Sequence, residues 1–161
     1  MKTFKIRRSV FETNSSSVHS VTVVGSNNSE YNYRGLPVLS DGYVHTTGGE
    51  FGWEVQTYSD PIHKLEYIVT MLHQVYRADT CEALMELAEF KELSDLIANV
   101  CSCNGLLVDC KDGYWDMGYI DHQSCEGYTN LDEFLDNYSV TLEEFIFNPN
   151  VQLHTDNDNH Y

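Results

Sequence analysis

The sequence has little positive charge and no long hydrophobic segment. Its 161 residues contain 9 Lys and Arg against 25 Asp and Glu, a formal net charge of −16 with His neutral. Such a chain repels nucleic acid at long range, so we expect no direct nucleic-acid binding by its acidic part. No segment approaches the roughly 20 apolar residues of a membrane span, and the N-terminus lacks the apolar stretch of a secretory signal. We therefore predict a cytoplasmic protein with no membrane partner.

The cysteines do not form a recognisable disulfide framework. The five cysteines are an odd number without a dense disulfide pattern, which favours a reducing, intracellular setting. Four of them, with His122, contain the ligand types of a zinc site, but the paired C-x2–4-C knuckles of structural zinc sites are missing. Buried free thiols are the favoured alternative, so we predict no metal site and identify no cofactor. The four cysteines are Cys101, Cys103, Cys110 and Cys125.

The apolar residues that are present indicate a folded chain with its own core. The hydrophobic share is 42% and the aromatic share 12%, with 11 Tyr, which is typical of a globular protein and not of a disordered one. At this length we expect a single domain over residues 1–161. Predicted strands occur in pairs, and the predicted helices follow in a block. We therefore predict an α+β fold, an antiparallel sheet of paired strands with a central block of helices packed on it.

Strands are predicted from β-branched and aromatic segments, and helices from capping residues and apolar periodicity. On the first helix, Ile62, Leu65 and Ile68 begin one apolar face, directly after Pro61. The predicted strand pairs are Thr3–Phe11 with Val18–Val24, Tyr43–Thr46 with Gly52–Tyr58, and Leu106–Asp109 with Tyr114–Ile120, and the final strand is Val151–His154. The predicted N-caps are Asp60, Asp79, Asn130 and Thr141.

The negative charge is concentrated in residues 65–161. Up to Lys64, six basic residues balance six acidic ones, whereas from Leu65 onward three basic residues face nineteen acidic ones. Five of these acidic residues recur at spacings of three and four and are predicted to line a helix face. Such a row can imitate a phosphate backbone and occupy a basic groove, and a solvated helix face is the alternative. The five are Glu82, Glu86, Glu89, Glu92 and Asp95.

A second candidate site lies near the N-terminus, where Arg7–Ser20 reads RRSVFETNSSSVHS. Ser and Asn side chains in a turn, together with backbone N–H groups, form a concavity of the kind that holds phosphate. An adjacent Arg suits bidentate contacts with phosphate, and His and Glu can add proton transfer. A Ser/Asn-rich turn with Glu12 paired to an Arg is the alternative. The predicted ligand-binding residues here are Arg8, Glu12, Asn14, Ser15, Ser16, Ser17 and His19.

Two further segments are predicted to complete that site. Gly48–Glu54, reading GGEFGWE, has glycines that permit a tight turn or close backbone approach to a ligand, and Glu50 can act as acid or base. The favoured alternative is a hairpin turn with Phe51 and Trp53 packed inward. Asp121 beside His122 can orient or titrate the imidazole, or both can bind metal, with a polar strand end as the alternative.

The motif R-x-x-F-E-T-N-S-S-S-x-H-S, here Arg8–Ser20, resembles the N-terminal signature of uncharacterised phage and prophage proteins of Firmicutes-type bacteria. The chain also resembles them in a Gly-Gly-Glu-Phe-Gly-Trp segment at Gly48–Trp53, in an Asp-His-Gln/Glu-Ser step at Asp121–Ser124, and in an Asn/Asp-rich end. The resemblance implies a phage or mobile-element origin and an intracellular place of action. It implies no activity, so it assigns no functional residue.

Two functions of different classes are therefore predicted. The first is a phage-encoded, non-enzymatic accessory protein of the host-cell cytoplasm. It would bind a host protein with a basic surface, such as a nucleic-acid-handling or defence enzyme, and an anti-defence (anti-CRISPR) role belongs to this class. The second is a protein or small enzyme that binds a phosphate-bearing small molecule or nucleotide at the Arg8–His19 loop. The sequence identifies no catalytic residue and leaves open whether there is catalysis.

Overall fold

The computed structural model describes residues 18–24, 35–110, 117–121 and 128–156. The predicted strand Thr3–Phe11 lies outside these residues, as does Cys125. Most of the predicted N-terminal site and one residue of the Asp-His step also lie outside the described residues. These predicted site residues outside the described parts are Arg8, Glu12, Asn14, Ser15, Ser16, Ser17 and His122.

The described residues form seven strands and five helices, and the fold is α+β as predicted. A block of three helices lies between strands β4 and β5 in chain order, and two shorter helices precede the last strand. The strands are β1 Val18–Val23, β2 Val44–Thr46, β3 Glu50–Phe51, β4 Gln56–Tyr58, β5 Leu106–Val108, β6 Tyr119–Ile120 and β7 Val151–Asp156. The helices are α1 Pro61–Tyr76, α2 Cys81–Glu86, α3 Ala88–Cys101, α4 Leu131–Tyr138 and α5 Leu142–Phe147.

The strands assemble into one antiparallel sheet and two parallel ladders. The sheet has the order β1-β7-β4, and β7 is antiparallel to both neighbours. β2 pairs in parallel with β5, and β3 in parallel with β6. The predicted pairing of Tyr43–Thr46 with Gly52–Tyr58 is therefore wrong, and β5 and β6 do not pair with each other either. Each of these short strands finds its partner across the helical block, which supplies the crossover that parallel neighbours require.

Helix α1 begins at the predicted residue. The Asp60 carboxylate accepts the backbone N–H of His63 at 3.0 Å, and Pro61 occupies the first turn, where its missing N–H costs no hydrogen bond. The helix is buried over a wide arc that includes Leu65, Ile68 and Leu72. Ile62, the second residue of the helix, is 43% exposed and does not join the buried face that the periodicity predicts.

Helices α2 and α3 are two separate elements. The N-cap of α2 is Thr80 and not the predicted Asp79, because the Thr80 hydroxyl accepts the Ala83 N–H at 3.1 Å. Leu87 has extended backbone angles (φ −60°, ψ 141°) and ends α2 before α3 begins. Residues before and after Leu87 therefore belong to differently directed helices.

Both predicted starts of the C-terminal helices are confirmed. Thr141 and Glu144 form a complete capping box, since the Glu144 N–H donates to the Thr141 hydroxyl at 3.1 Å and the Thr141 N–H donates to the Glu144 carboxylate at 2.9 Å. Asn130 accepts the Glu133 N–H at 2.8 Å, but the Glu133 carboxylate accepts from Thr129 and not from Asn130. Local side-chain chemistry thus specifies where α4 and α5 begin.

An aromatic cluster centred on Phe134 joins α1 to the two C-terminal helices. The Phe134 ring, 1% exposed, lies 5.9 Å from Tyr67 of α1 and 5.4 Å from Phe145 of α5 between centroids. Tyr128 and Tyr138 approach it edge-on at 5.4 Å and 5.3 Å. Edge-to-face contacts of this kind add to the stabilisation from area burial, so the cluster anchors this part of the core.

Candidate functional site

His19 of the predicted N-terminal site and the Gly48–Glu54 segment lie at the same end of the three-stranded sheet. β1 and β4 begin at this end and β7 finishes there. His19, of which only the backbone position is described, pairs with Thr155, and Thr155 also pairs with Gln56. The Thr155 hydroxyl donates to the Glu54 carbonyl at 3.3 Å, which ties the Gly48–Glu54 segment to the same row. The start of β1 therefore lies one strand away from that segment.

Glu50 and Asp121 lie together on the neighbouring ladder of β3 and β6. Glu50 pairs with Tyr119, and the Asp121 N–H donates to the Phe51 carbonyl at 3.1 Å. Glu50 is exposed while Phe51 is buried, so Glu50 lies on the solvent side of β3. The structure thus brings two of the predicted carboxylates to one ladder, and the contribution of His122 stays a prediction.

The glycines of Gly48–Glu54 have a structural role. A Cβ atom at Gly48 would lie 1.7 Å from the Met117 carbonyl oxygen, and one at Gly118 would lie 2.3 Å from the Gly49 carbonyl oxygen. Gly118 also has φ +75°, a conformation that other residues rarely adopt. The backbone that lies close to these glycines therefore belongs to another part of this chain.

Trp53 does not pack inward as predicted. Phe51 is 2% exposed and meets Tyr67 edge-on at 5.1 Å, whereas Trp53 is 57% exposed and stacks on Tyr119 at 6.2 Å. The cause is Gly52, whose φ of +99° breaks the alternation that would place both aromatic residues on one face. An aromatic surface thus lies beside the carboxylates of this segment.

The predicted acidic row is divided between α2 and α3 by the break at Leu87. The row is therefore not a continuous face of one helix, because the break changes the direction of the chain. Four of its five members are exposed to solvent, two on each helix. They are Glu82 and Glu86 on α2, and Glu92 and Asp95 on α3.

The fifth member, Glu89, has a different environment. It is half-buried in the first turn of α3. Burial first, and the nearby Glu89 carboxylate second, raise the pKa of Tyr76. Glu89 is therefore less available than its neighbours to a partner.

Exposed positive charges near this row are few. Lys91 is 58% exposed, and its Nζ lies 2.7 Å from a Glu86 carboxylate oxygen. The hydrogen bond and the charge of Lys91 lower the pKa of Glu86. The other exposed base in the described part of the chain is Arg77, at the C-terminal cap of α1. The exposed basic side chains among the described residues therefore reduce the negative electrostatic field of α2 and α3 only weakly.

Lys64 is not a surface residue, because its side chain is fully buried. Its Nζ donates to the carbonyl oxygens of Asn148 at 2.9 Å and Val151 at 3.1 Å. Burial lowers the pKa of Lys64 from 10.5 to about 8. Its chain neighbours, His63 and Leu65, gave no signal in the sequence that Lys64 would lie inside.

The cysteines differ from the prediction of free thiols. Cys81 and Cys110 form a disulfide between the start of α2 and the residues that follow β5. The prediction for Cys110 was wrong because its partner, 29 residues away, is brought close only by the fold. Cys101 and Cys103 are free and half-buried, and burial raises the pKa of the Cys101 thiol.

A histidine held by two carboxylates was missed by sequence reasoning. His45 Nδ1 lies 2.8 Å from Asp109 Oδ1, and Nε2 lies 2.7 Å from Asp41 Oδ2. Both ring nitrogens donate only in the imidazolium form. The bonds to Asp109 first and Asp41 second therefore raise the pKa of His45. The spacing of Asp41 and His45 is visible in the sequence, but Asp109 is 64 residues from His45.

Among the described residues, no group of three or more His, Cys, Asp or Glu side chains is arranged to bind a metal ion. None of the helices in those ranges has both the length and the apolar character needed to cross a membrane. No protein-family model matches the chain, and neither a curated protein nor a solved structure matches it. The functional conclusion therefore depends on the chemistry of the residues themselves.

Proposed function

We propose that the protein binds a basic surface of another protein through helices α2 and α3. The observation that supports this is the set of exposed carboxylates on these helices, opposed there by Lys91 alone. Because Lys64 is buried, its amine is not available at the surface to a partner. A surface of one sign steers a partner of the opposite sign and competes with nucleic acid for a basic groove.

The biological setting is proposed from the N-terminal motif. Its resemblance to phage and prophage proteins favours an accessory protein that acts inside a bacterial host, against a nucleic-acid-handling or defence enzyme. Such enzymes expose basic grooves that bind the phosphate backbone. An acidic protein that occupies such a groove would inhibit the enzyme without catalysing a reaction.

A competition experiment tests this function. Purified host nucleases, each bound to a fluorescent DNA duplex, are titrated with the protein while anisotropy is measured. We expect displacement of DNA from at least one nuclease, with an affinity that falls as salt rises. The triple change Glu82→Lys, Glu86→Lys and Glu92→Lys should weaken displacement at least about tenfold, since each charge pair at an interface is worth about 1 kcal/mol or more.

The matched control makes the same change in net charge elsewhere. Glu54→Lys, Asp132→Lys and Asp136→Lys replace exposed acidic residues outside α2 and α3. Binding should persist in this variant. Equal loss in both triple variants would show that only net charge matters, and unchanged binding in the α2–α3 variant would exclude these helices as the binding surface.

The alternative is a phosphate-ligand site at the end of the three-stranded sheet. It is favoured by one observation, the position of His19 in the same row as Thr155 and Gln56. It is opposed by the carboxylates of Glu50, Glu54 and Asp121, which repel an anion. A thermal-shift screen with nucleotides and divalent metals separates the two functions, because a ligand of the folded state raises the melting temperature. A shift with nucleotide that Thr155→Val abolishes would favour the alternative.

A further inference from the structure

We propose that Cys81 and Cys110 are a reversible thiol–disulfide pair that controls how firmly α2 presents its acidic side chains. The bond connects the first residue of α2 to the second residue after β5. Its importance for binding rests on the function proposed above. The thiol–disulfide exchange itself does not rest on that function, because it depends only on where the fold places the two sulfur atoms.

Each cysteine is held by contacts that do not need the disulfide. On the side of α2, Thr80 caps the helix and Leu84 is fully buried. On the side of β5, the Asp109 N–H donates to the Thr46 carbonyl at 2.9 Å, and the Asp109 carboxylate contacts His45. The two Cα atoms are 6.4 Å apart, within the range of disulfides. The thiols therefore stay within reach after reduction, and the bond can re-form without refolding.

The two sulfur atoms differ in their access to solvent. Cys81 is 7% exposed, whereas Cys110 is half-buried. Exchange with a small disulfide such as oxidised glutathione therefore begins at Cys110, whose thiolate attacks one sulfur of the reagent and releases one glutathione thiol. The Cys81 thiolate then attacks the Cys110 sulfur and releases the second. Two protein thiols and one small disulfide become one protein disulfide and two small thiols, which receive the two protons.

Helix α2 is the element that the bond affects most. It has six residues, and the chain breaks helical geometry at Thr80 on one side and Leu87 on the other. A helix this short is not stable by itself, so tertiary contacts determine its position. Reduction removes one of these contacts and leaves the burial of Leu84 and the cap. We therefore expect α2 to open more often in the reduced protein while α3 remains unchanged.

The chemistry is tested on the full chain carrying Cys125→Ser. The protein is equilibrated in mixtures of reduced and oxidised glutathione, free thiols are alkylated, and the alkylated sites are located by mass spectrometry. We expect Cys81 and Cys110 to lose reactivity together and to regain it on reduction, while Cys101 and Cys103 stay reactive after denaturation. Independent reactivity of Cys81 and Cys110, or oxidation only after unfolding, would overturn the proposal.

The structural effect is read by hydrogen exchange and melting temperature. Reduction should accelerate exchange of α2 amides by about tenfold and lower the melting temperature by roughly 10 °C, as expected for opening a loop of this length in a chain of this size. Cys81→Ser with Cys110→Ser should match the reduced protein under all conditions. Cys101→Ser with Cys103→Ser is the control and should keep the redox response. Identical α2 exchange in both redox states would overturn the proposal.

An oligolysine peptide of about 20 residues separates this proposal from the proposed function. If the redox proposal and the proposed function are both correct, the oxidised protein binds oligolysine more tightly than the reduced protein. The double serine variant then binds like the reduced protein. Reversible pairing with altered α2 exchange, but no binding in either state, would overturn the proposed function and leave the redox pair supported. Equal binding in both states would refute the control of α2 presentation while supporting the acidic binding surface.

Discussion

Replacement of the buried Lys64 by Met should change how the stability of the protein depends on pH. In the folded chain the amine donates to the carbonyl oxygens of Asn148 and Val151 and is shielded from water. The unfolded chain exposes the same amine to water. Met has a similar length and no charge, so Lys64→Met removes the titration and largely preserves the packing.

The magnitude follows from the pKa of Lys64, which burial lowers from 10.5 to about 8. At about 1.4 kcal/mol per pKa unit, keeping the charged amine inside costs about 3 kcal/mol relative to the neutral amine. The unfolded state binds more protons than the folded state between these two pKa values, so stability rises with pH across this window. From about pH 7 to about pH 9.5, the wild-type protein should gain about 2 kcal/mol relative to Lys64→Met.

The assay is urea denaturation at several pH values, because urea leaves the ionic strength of this acidic protein unchanged. The quantity compared is the difference in unfolding free energy between wild type and Lys64→Met at each pH. Its absolute value also contains the lost hydrogen bonds, but its change with pH does not. Lys91→Met is the matched control, because the Lys91 side chain is 58% exposed and its removal should leave the difference nearly constant.

Parallel stability curves for wild type and Lys64→Met would refute this reasoning. They would show that the amine titrates alike in the folded and unfolded states, which requires that water reaches it in the fold. A difference that shrinks toward high pH, with wild type losing stability, would mean that a carboxylate such as Asp60 stabilises the cation more than burial destabilises it.

Four further changes test other parts of the fold. Phe134→Ala should lower the unfolding free energy by about 3–5 kcal/mol in urea denaturation, because it leaves a cavity between α1 and the C-terminal helices. Gly48→Ala should destabilise by at least about 2 kcal/mol in the same assay, since its Cβ would collide with the Met117 carbonyl oxygen. Thr141→Ala should cost about 1 kcal/mol through loss of the α5 cap. In an NMR titration, the pKa of His45 should lie above its ordinary value, and Asp109→Asn should lower it. Protonated His45 therefore stabilises the fold fully below the pKa of the unfolded chain, and this stabilisation is lost as pH rises through the pKa of the folded chain.

The acidic surface could be predicted from the sequence only in part. The carboxylates of residues 82–95 and their exposure follow from composition and spacing, because charged side chains stay in water. Their division between two helices depends on the backbone angles of Leu87, and the partial burial of Glu89 depends on how α3 packs in the fold. Neither feature leaves a periodic signal in the chain.

The α+β class and the helix starts at Asp60, Asn130 and Thr141 could be predicted from local patterns in the chain. Those features depend on hydrogen bonds that span three or four residues and on the order of the elements, so a local pattern encodes them. The strand partners, the disulfide and the burial of Lys64 could not be predicted in this way, because they depend on long-range contacts. These join residues from 29 to more than 80 positions apart. The packing of the whole core decides which strands pair and which side chains come into contact. A residue pattern shows which side chains can be buried, but it does not identify the residues they pack against.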